Sequence, residues 1–386
     1  MFRRSQSGAL LGWSVAVSLT LLVLQKLFER GGGYLADIWS QASDSTTGPK
    51  FRYQIRDIAT MFDADVGDFE VGTNIAHVNR RDRYLVVLRD FITGFSIRDP
   101  CYKPAFKASS ELVITPFNHE ERENGKCWPL LAYSMTGRRR LDNVRDLITT
   151  AIYGNIPGGF LEAGVWRGGA SIMAAGTIAA FGEEAKRKVY VCDSFQGLPR
   201  SSNTMDYDGW EVSDVLAVSL DQVRQHFKNS NLLRSNVEFV KGFFNESLPS
   251  LVDRDFKLAV LRADGDMYES TMDILFNLYD KISLGGFLII DDWEVEVCRK
   301  AVKHFFYIHG FRSIRIEVID ESGAFIVKEH HFDINHQWYR NFNKQRSVTT
   351  EYRSKKTTNK EKTGKCKTWP HRCIDEFYFQ YADKLM

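Results

Sequence analysis

Four carboxylates stand at spacings that suit metal-assisted proton chemistry. The stretch Leu261–Ser270, LRADGDMYES, follows the apolar run Leu258–Leu261 and carries Asp264 and Asp266 two residues apart. If the backbone stays extended there, both carboxylates point to the same side. Further on, Gly285-Gly286 and the run FLII lead into Asp291-Asp292. Two neighbouring strands ending in these acids would gather four carboxylates at one sheet edge, where they repel unless a cation or a proton sits among them. An oxygen-only ligand set favours a hard ion, magnesium first, with manganese or calcium as alternatives. Taken singly, a DxD or DD pair also fits acids that cap strands and open loops.

A second constellation precedes them. Glu162-Ala163-Gly164-Val165-Trp166-Arg167-Gly168-Gly169 lies at a strand-to-helix turn, with Ser171 in the helix that follows. Glycines there let a ligand approach the backbone, and the helix start offers free N–H groups. Asp193 ends the next strand, where an acid can accept hydrogen bonds from ribose hydroxyls. Trp166 occupies the place of the second glycine of a GxGxxG fingerprint, which disfavours a dinucleotide. Glu162 just before the first glycine suits a cationic ligand, and S-adenosylmethionine combines a ribose with a positive methionine end. A tight βα connection with no ligand explains the glycines alone equally well.

The elements that must position these groups alternate as in a doubly wound α/β domain. Strands are expected at 160–163, 188–192, 237–241, before Asp264 and before Asp291. Helices are expected at about 170–181, 216–228, 270–281 and 298–309, with a closing hairpin at 314–327. Leu141–Tyr153 has the spacing of a one-sided helix.

The chain has 386 residues, 44% hydrophobic and 26% charged, an ordinary globular composition. A net charge of +2 argues against a dedicated nucleic-acid surface. Six cysteines form no CxxC, and Cys101/Cys127 and Cys366/Cys373 are candidate disulfides in an oxidising compartment. Arg3 and Arg4 precede an uncharged stretch, Gly8–Leu24, read as an uncleaved signal-anchor. The expected organisation is an anchor at 1–30, a flexible stem at 31–50, an accessory or lid region at 51–130, the catalytic domain at 131–330 and a polar, basic tail at 331–386. The short head before the apolar stretch leans towards a single span with the catalytic domain in the lumen of the endoplasmic reticulum or Golgi. The sequon Asn245-Glu246-Ser247 points the same way. The oligomeric state is open, a homo-oligomer included.

Arg140–Lys328 resembles the macrocin O-methyltransferase family, magnesium-dependent enzymes that methylate sugar hydroxyls of macrolides and related antibiotics. The carrying stretches are PGGFLEAGVWRGGASI, VCDSFQGLP, LAVSLDQV, VKGFFNESLP, LAVLRADGDMYESTMDILFNLY and LGGFLIIDDW, followed by CRKAV, in the family's order. The resemblance implies a class I methyltransferase Rossmann-like domain. It implies that Glu162, Gly164, Arg167, Gly168, Gly169 and Ser171 line the S-adenosylmethionine site, with Asp193 on the ribose and Gly242 and Phe243 beside the adenine. It makes Asp264, Asp291 and Asp292 metal ligands and Asp266 the general base. Trp293 departs from the family's tyrosine, and the first 130 or so residues have no evident counterpart in compact soluble members. The acceptor is expected to be a small-molecule or glycan hydroxyl. A catechol methyltransferase, an anchored glycosyltransferase-like protein and a non-catalytic binding module are the competing readings.

Overall fold

The structure is a computed structural model and describes residues 80–103, 113–200, 206 and 216–346. The expected anchor, the stem, Cys366 and Cys373 lie outside the described residues.

The chain enters through helix α1 (Arg80–Ile92) and a small antiparallel sheet of β1 (Cys101–Lys103), β2 (Val113–Thr115) and β3 (Trp128–Pro129), ordered β2-β1-β3, with α2 (His119–Glu123) before β3. Cys101 and Cys127 form a disulfide in this region. Helix α3 (Gly137–Tyr153) buries Leu141, Val144, Leu147, Ile148 and Ala151, the stripe expected from its spacing.

The expected alternation follows as β4 (Gly159–Ala163), α4 (Gly169–Ala180), β5 (Val189–Asp193), α5 (Leu220–Asn229), β6 (Val237–Lys241), short α6 (Phe244–Ser247) and α7 (Pro249–Val252), β7 (Leu258–Ala263), α8 (Tyr268–Leu278), β8 (Ile282–Ile290), α9 (Glu296–Ile308), β9 (Glu317–Val318) and β10 (Ala324–Val327). The sheet order is β6-β5-β4-β7-β8-β10-β9, parallel from β6 to β8, with β10 antiparallel to β8 and β9. This is the doubly wound class I methyltransferase architecture. Strand order reverses between β4 and β7, the place where such sheets bind ligands beyond their carboxyl ends.

Both central strands are buried along their whole length, yet each carries one charge. The register sets Glu162 of β4 beside Arg262 of β7. Two opposite charges inside a sheet core are tolerable only because they meet.

The packed body continues past the point where composition turns polar. Residues 336–346 are helical. Trp338 and Tyr339 stack on Phe276 of α8, with ring centroids 5.3 and 5.0 Å away. Tyr339 donates its hydroxyl to Asp273 at 2.7 Å, and Arg346 donates to the same carboxylate at 2.7 and 2.9 Å. The sequence reading placed this segment in the tail; its aromatic spacing, Trp338 to Phe342, is that of a helix face.

The membrane-anchored placement finds no support in the fold. Among the described residues no helix is long and apolar enough to cross a membrane. Asn245 of the sequon is exposed, in the short helix α6 at the rim of the central cavity.

Phe342 is buried against the α8–α9 core. Phe342→Ala is expected to cost about 3 kcal/mol of stability, read as a lowered urea midpoint with an unchanged slope.

Candidate active site

The turn after β4 is built by steric demand. Gly164 has φ +94°, and a Cβ there would collide with the carbonyl oxygen of Asp264. Gly169 comes so close to the accessory region that a Cβ would lie 2.5 Å from Ser134 Cβ and 2.6 Å from the Tyr133 carbonyl oxygen. Between them Trp166 holds φ +46°, a strained value for a bulky residue. The Arg167 guanidinium lies over the Trp166 ring at 4.2 Å and donates to the carbonyls of Pro129, Leu130 and Ala132 at 3.1, 3.2 and 2.8 Å. Its side chain therefore clamps the accessory segment. His226 contacts the Arg167 carbonyl through Nδ1 at 2.8 Å. A carbonyl can only accept, so this nitrogen carries the proton.

Asp193 ties the first two loops together. Its Oδ2 accepts from the Val165 N–H at 2.8 Å and its Oδ1 from the Phe195 N–H at 2.6 Å. Burial raises its carboxyl above the ordinary range, against these backbone donors.

The floor of the cavity is an ion network around Arg262. Its guanidinium meets Glu162 at 2.5 Å, Asp264 at 2.7 Å and Asp291 at 2.5 Å. Glu162 also accepts a short hydrogen bond from Ser171, and burial pushes its carboxyl up to about 7 despite Arg262. Asp291 is gripped on its other oxygen by Arg140 of α3 at 2.5 Å. Burial works to raise Asp291, but the two guanidiniums outweigh it and hold its carboxyl below the usual range.

Asp264, which keeps its contact with Arg262, converges with two further acids. Asp264, Asp266 and Asp292 each offer a carboxylate oxygen, and these oxygens lie within 4.8 Å of one another. Asp266 has φ +56°, so the chain turns here instead of running extended, and the turn brings Asp266 back beside Asp264. Its N–H donates to Asp292 Oδ2 at 2.8 Å. Burial, and then the neighbouring acids, raise Asp266 to about 8 and Asp292 well above its ordinary value. Asp264 rises to about 6 through burial, with Arg262 opposing.

All four acids expected at the edge line this cavity, as do Glu162, Gly164, Gly169, Asp193 and Phe243. Arg167, Gly168, Ser171 and Gly242 are not among the lining residues and act through the shape of the turns. Sequence reasoning missed Arg262, Arg140 and Asp206. An arginine inside an apolar strand run was a readable signal for Arg262, since such a charge must be paired. Arg140 carries no such local signal, since the acid it meets lies 151 residues away. Asp206 accepts from the N–H groups of Tyr268 and Glu269 at 2.5 and 3.3 Å, capping α8 directly after Asp266.

Residues 92–328 match the family model for macrocin O-methyltransferase (TylF), well over half of the chain. The chain belongs to the macrocin O-methyltransferase family. It is an O-methyltransferase, and its methyl donor is S-adenosylmethionine. The family region opens in α1, so much of the accessory region belongs to it, contrary to the expectation that the resemblance starts at Arg140. A relative from Streptomyces olivaceus, named 8-demethyl-8-(2,3-dimethoxy-alpha-L-rhamnosyl)-tetracenomycin-C 4'-O-methyltransferase, is 39% identical over 250 residues, covering 64% of this chain and 92% of the relative. The demethyldecarbamoylnovobiocin O-methyltransferase of Streptomyces niveus is 38% identical over 233 residues, covering 58% and 84%. The solved O-methyltransferase NovP superposes with a TM-score of 0.58 at 34% identity, covering 65% of this chain and all of NovP. The expected lumenal placement is corrected: among the described residues no helix is long and apolar enough to cross a membrane, and the two Streptomyces relatives come from bacteria, which have no endoplasmic reticulum or Golgi.

Glu162, Asp264 and Asp266 keep protons in the folded chain that they would release on unfolding, where acids titrate near about 4. The stability they contribute is present below that value and is lost as pH rises through about 6 to about 8. Asp291, shifted the other way, acts only below this window. In EDTA the thermal midpoint is expected to fall between pH 5 and pH 8 and to recover on adding Mg2+. A flat midpoint would show that the acids are not held together as described.

Proposed function

We propose that this methyltransferase is metal-dependent and methylates a sugar hydroxyl on a glycoside-bearing acceptor. One observation carries the reading: Asp264, Asp266 and Asp292 bring three carboxylate oxygens within 4.8 Å of one another with no guanidinium between Asp266 and Asp292. Hard oxygen donors at this spacing fit Mg2+ best, and Mn2+ or Ca2+ would be held by the same atoms. A bound ion would lower the pKa of an acceptor hydroxyl, which is otherwise a very weak acid.

The chain's own residues divide the remaining work. Asp264 and Asp292 face one another across the end of the sheet and hold the ion. Asp266 takes the hydroxyl proton; its carboxyl, raised to about 8, makes a competent base near neutral pH once deprotonated. The Gly164–Gly169 turn and Phe243 border the donor, and Asp193 fixes both loops at the ribose end. Glu162, held by Arg262 and Ser171, would border the positively charged methionine end of the donor. The acceptor oxygen then attacks the methyl carbon in line, the carbon–sulfur bond breaks, and the hydroxyl proton passes to Asp266.

The sugar acceptor is supported by the name of the Streptomyces olivaceus relative, which specifies a rhamnosyl compound. Rhamnosides and catechols assayed side by side with Mg2+ are expected to show turnover on the sugar. Asp266→Asn should lower kcat by about 10²- to 10⁴-fold, while the calorimetric affinity for S-adenosylhomocysteine stays unchanged. Full turnover in EDTA would overturn the metal assignment, and an unimpaired Asp266→Asn would overturn the base.

A further inference from the structure

Helix α8 carries a buried polar stripe. Glu269, Asp273 and Asn277 follow one another at four-residue spacing on a single face, and all three are buried. Two acids one turn apart repel, and burial makes each of them costly without a counter-charge. Their partners come from the helix at residues 336–346. Arg346 donates to both oxygens of Asp273 at 2.7 and 2.9 Å, and its Nε lies 3.4 Å from Glu269. Tyr339, two turns earlier on the same face, donates to Asp273 at 2.7 Å and accepts from Asn277 at 3.0 Å.

The stripe lies directly behind the site. Ser270 and Asp273 line the central cavity. Helix α8 starts at Tyr268, two residues after Asp266, whose left-handed turn leads into it. The helix at 336–346 grips α8 in two different ways. Trp338 and Tyr339 stack on Phe276 and hold the half of α8 away from the acids. Arg346 holds the half next to them, where Phe342 also meets the Tyr268 ring edge-on at 6.3 Å. All of these contacts come from beyond residue 328, where the family match ends.

We infer that Arg346 is a positioning residue for methyl transfer: from outside the family region it neutralises Glu269 and Asp273, and so fixes the opening turn of α8 and the Asp266 carboxylate in front of it. This rests on the role proposed for Asp266 above. A base that must meet a hydroxyl within hydrogen-bond reach tolerates little drift, and a displacement of about 1 Å can cost about 100-fold in rate.

Steady-state kinetics of the full-length protein, with Mg2+ and the rhamnosides of the assay above, test the inference. Arg346→Gln is expected to lower kcat by about 10- to 100-fold, with the KM for S-adenosylmethionine and the calorimetric affinity for S-adenosylhomocysteine unchanged. Arg346→Lys, which keeps the charge, should restore part of the loss. The decisive variant combines Arg346→Gln with Asp266→Asn. A residue that acts through Asp266 adds nothing once that carboxylate is gone, so the double variant should be no slower than Asp266→Asn alone. A merely structural role would make the two losses multiply. Should Arg346→Gln fail to fold, Tyr339→Phe carries the same cycle: it keeps the ring stack, removes only the hydroxyl, and should give a smaller fall in kcat. An unchanged kcat in these variants, a loss of donor affinity as large as the loss of kcat, or losses that multiply would each overturn the inference. A wild-type protein inactive on every rhamnoside, or unimpaired by Asp266→Asn, would overturn the proposed function first, and this inference with it. Those two controls tell the failures apart.

Discussion

One buried guanidinium sets the geometry on which the site depends. Arg262 sits in the middle of a parallel sheet, with 2% of its side chain exposed, and touches Glu162 from β4, Asp264 from the end of its own strand and Asp291 from β8. An unpaired charge in that position would be excluded from the core outright, and leaving either side of such a pair alone typically costs about 3–5 kcal/mol. The three strands are therefore held in register by charge as well as by their ladder hydrogen bonds. The consequence reaches the site because Glu162 and Asp264 both line the cavity, at the ends of neighbouring strands, in the places proposed for the donor and the acceptor. A single cation spaces the two halves of the reaction.

The sheet supplies the floor, and segments outside it supply the walls. Arg167 grips three carbonyls of the segment from Pro129 to Ala132, and Trp128 beside it meets Trp166 edge-on at 5.8 Å. Arg140 of α3 reaches the metal-side acids from before the sheet begins. At the other extreme of the described chain, Arg346 binds Asp273 and Glu269, anchoring α8 just behind Asp266. A doubly wound sheet alone leaves its carboxyl edge open to water. Here the elements that close it reach the site through arginines, whose planar forks engage several acceptors at once.

What the sequence disclosed follows from the range of the interactions concerned. The order of strands and helices was legible, because each element carries its own apolar period and is bounded by glycines and acids. Gly164 was legible for the same local reason. The direction in which the acids point was not. Asp264 and Asp266 were expected to align through an extended backbone; they do meet, but through a left-handed turn at Asp266 that a DxD spacing does not reveal. Asp291 and Asp292 look equivalent in sequence, and only a partner 151 residues away, Arg140, makes them different. That Asp193 also fastens two loops, by accepting the Val165 and Phe195 N–H groups, was not legible either. Pairings of this kind depend on tertiary approach, which composition and period do not encode.

The charge arrangement also bears on why the reaction runs in one direction. Glu162, Asp264, Asp266, Asp291 and Asp292 line one cavity, and Arg140 and Arg262 are the guanidiniums among them. Asp193, Asp273 and Glu294 line it as well, so acids outnumber guanidiniums, an imbalance that the proposed divalent ion and the sulfonium donor would reduce. Two cations drawn to one acidic site repel each other, so neither gains affinity from the other through charge alone; the acids must outweigh that repulsion for both to bind. Methyl transfer changes this balance. The sulfonium becomes a neutral thioether, and in the proposed mechanism the hydroxyl proton moves onto Asp266. The donor product keeps its adenosine contacts but loses the electrostatic attraction to Glu162 and the acids beyond it. On the proposed mechanism, a site with more acids than guanidiniums binds the charged donor more strongly than the neutral thioether, which favours product release after transfer.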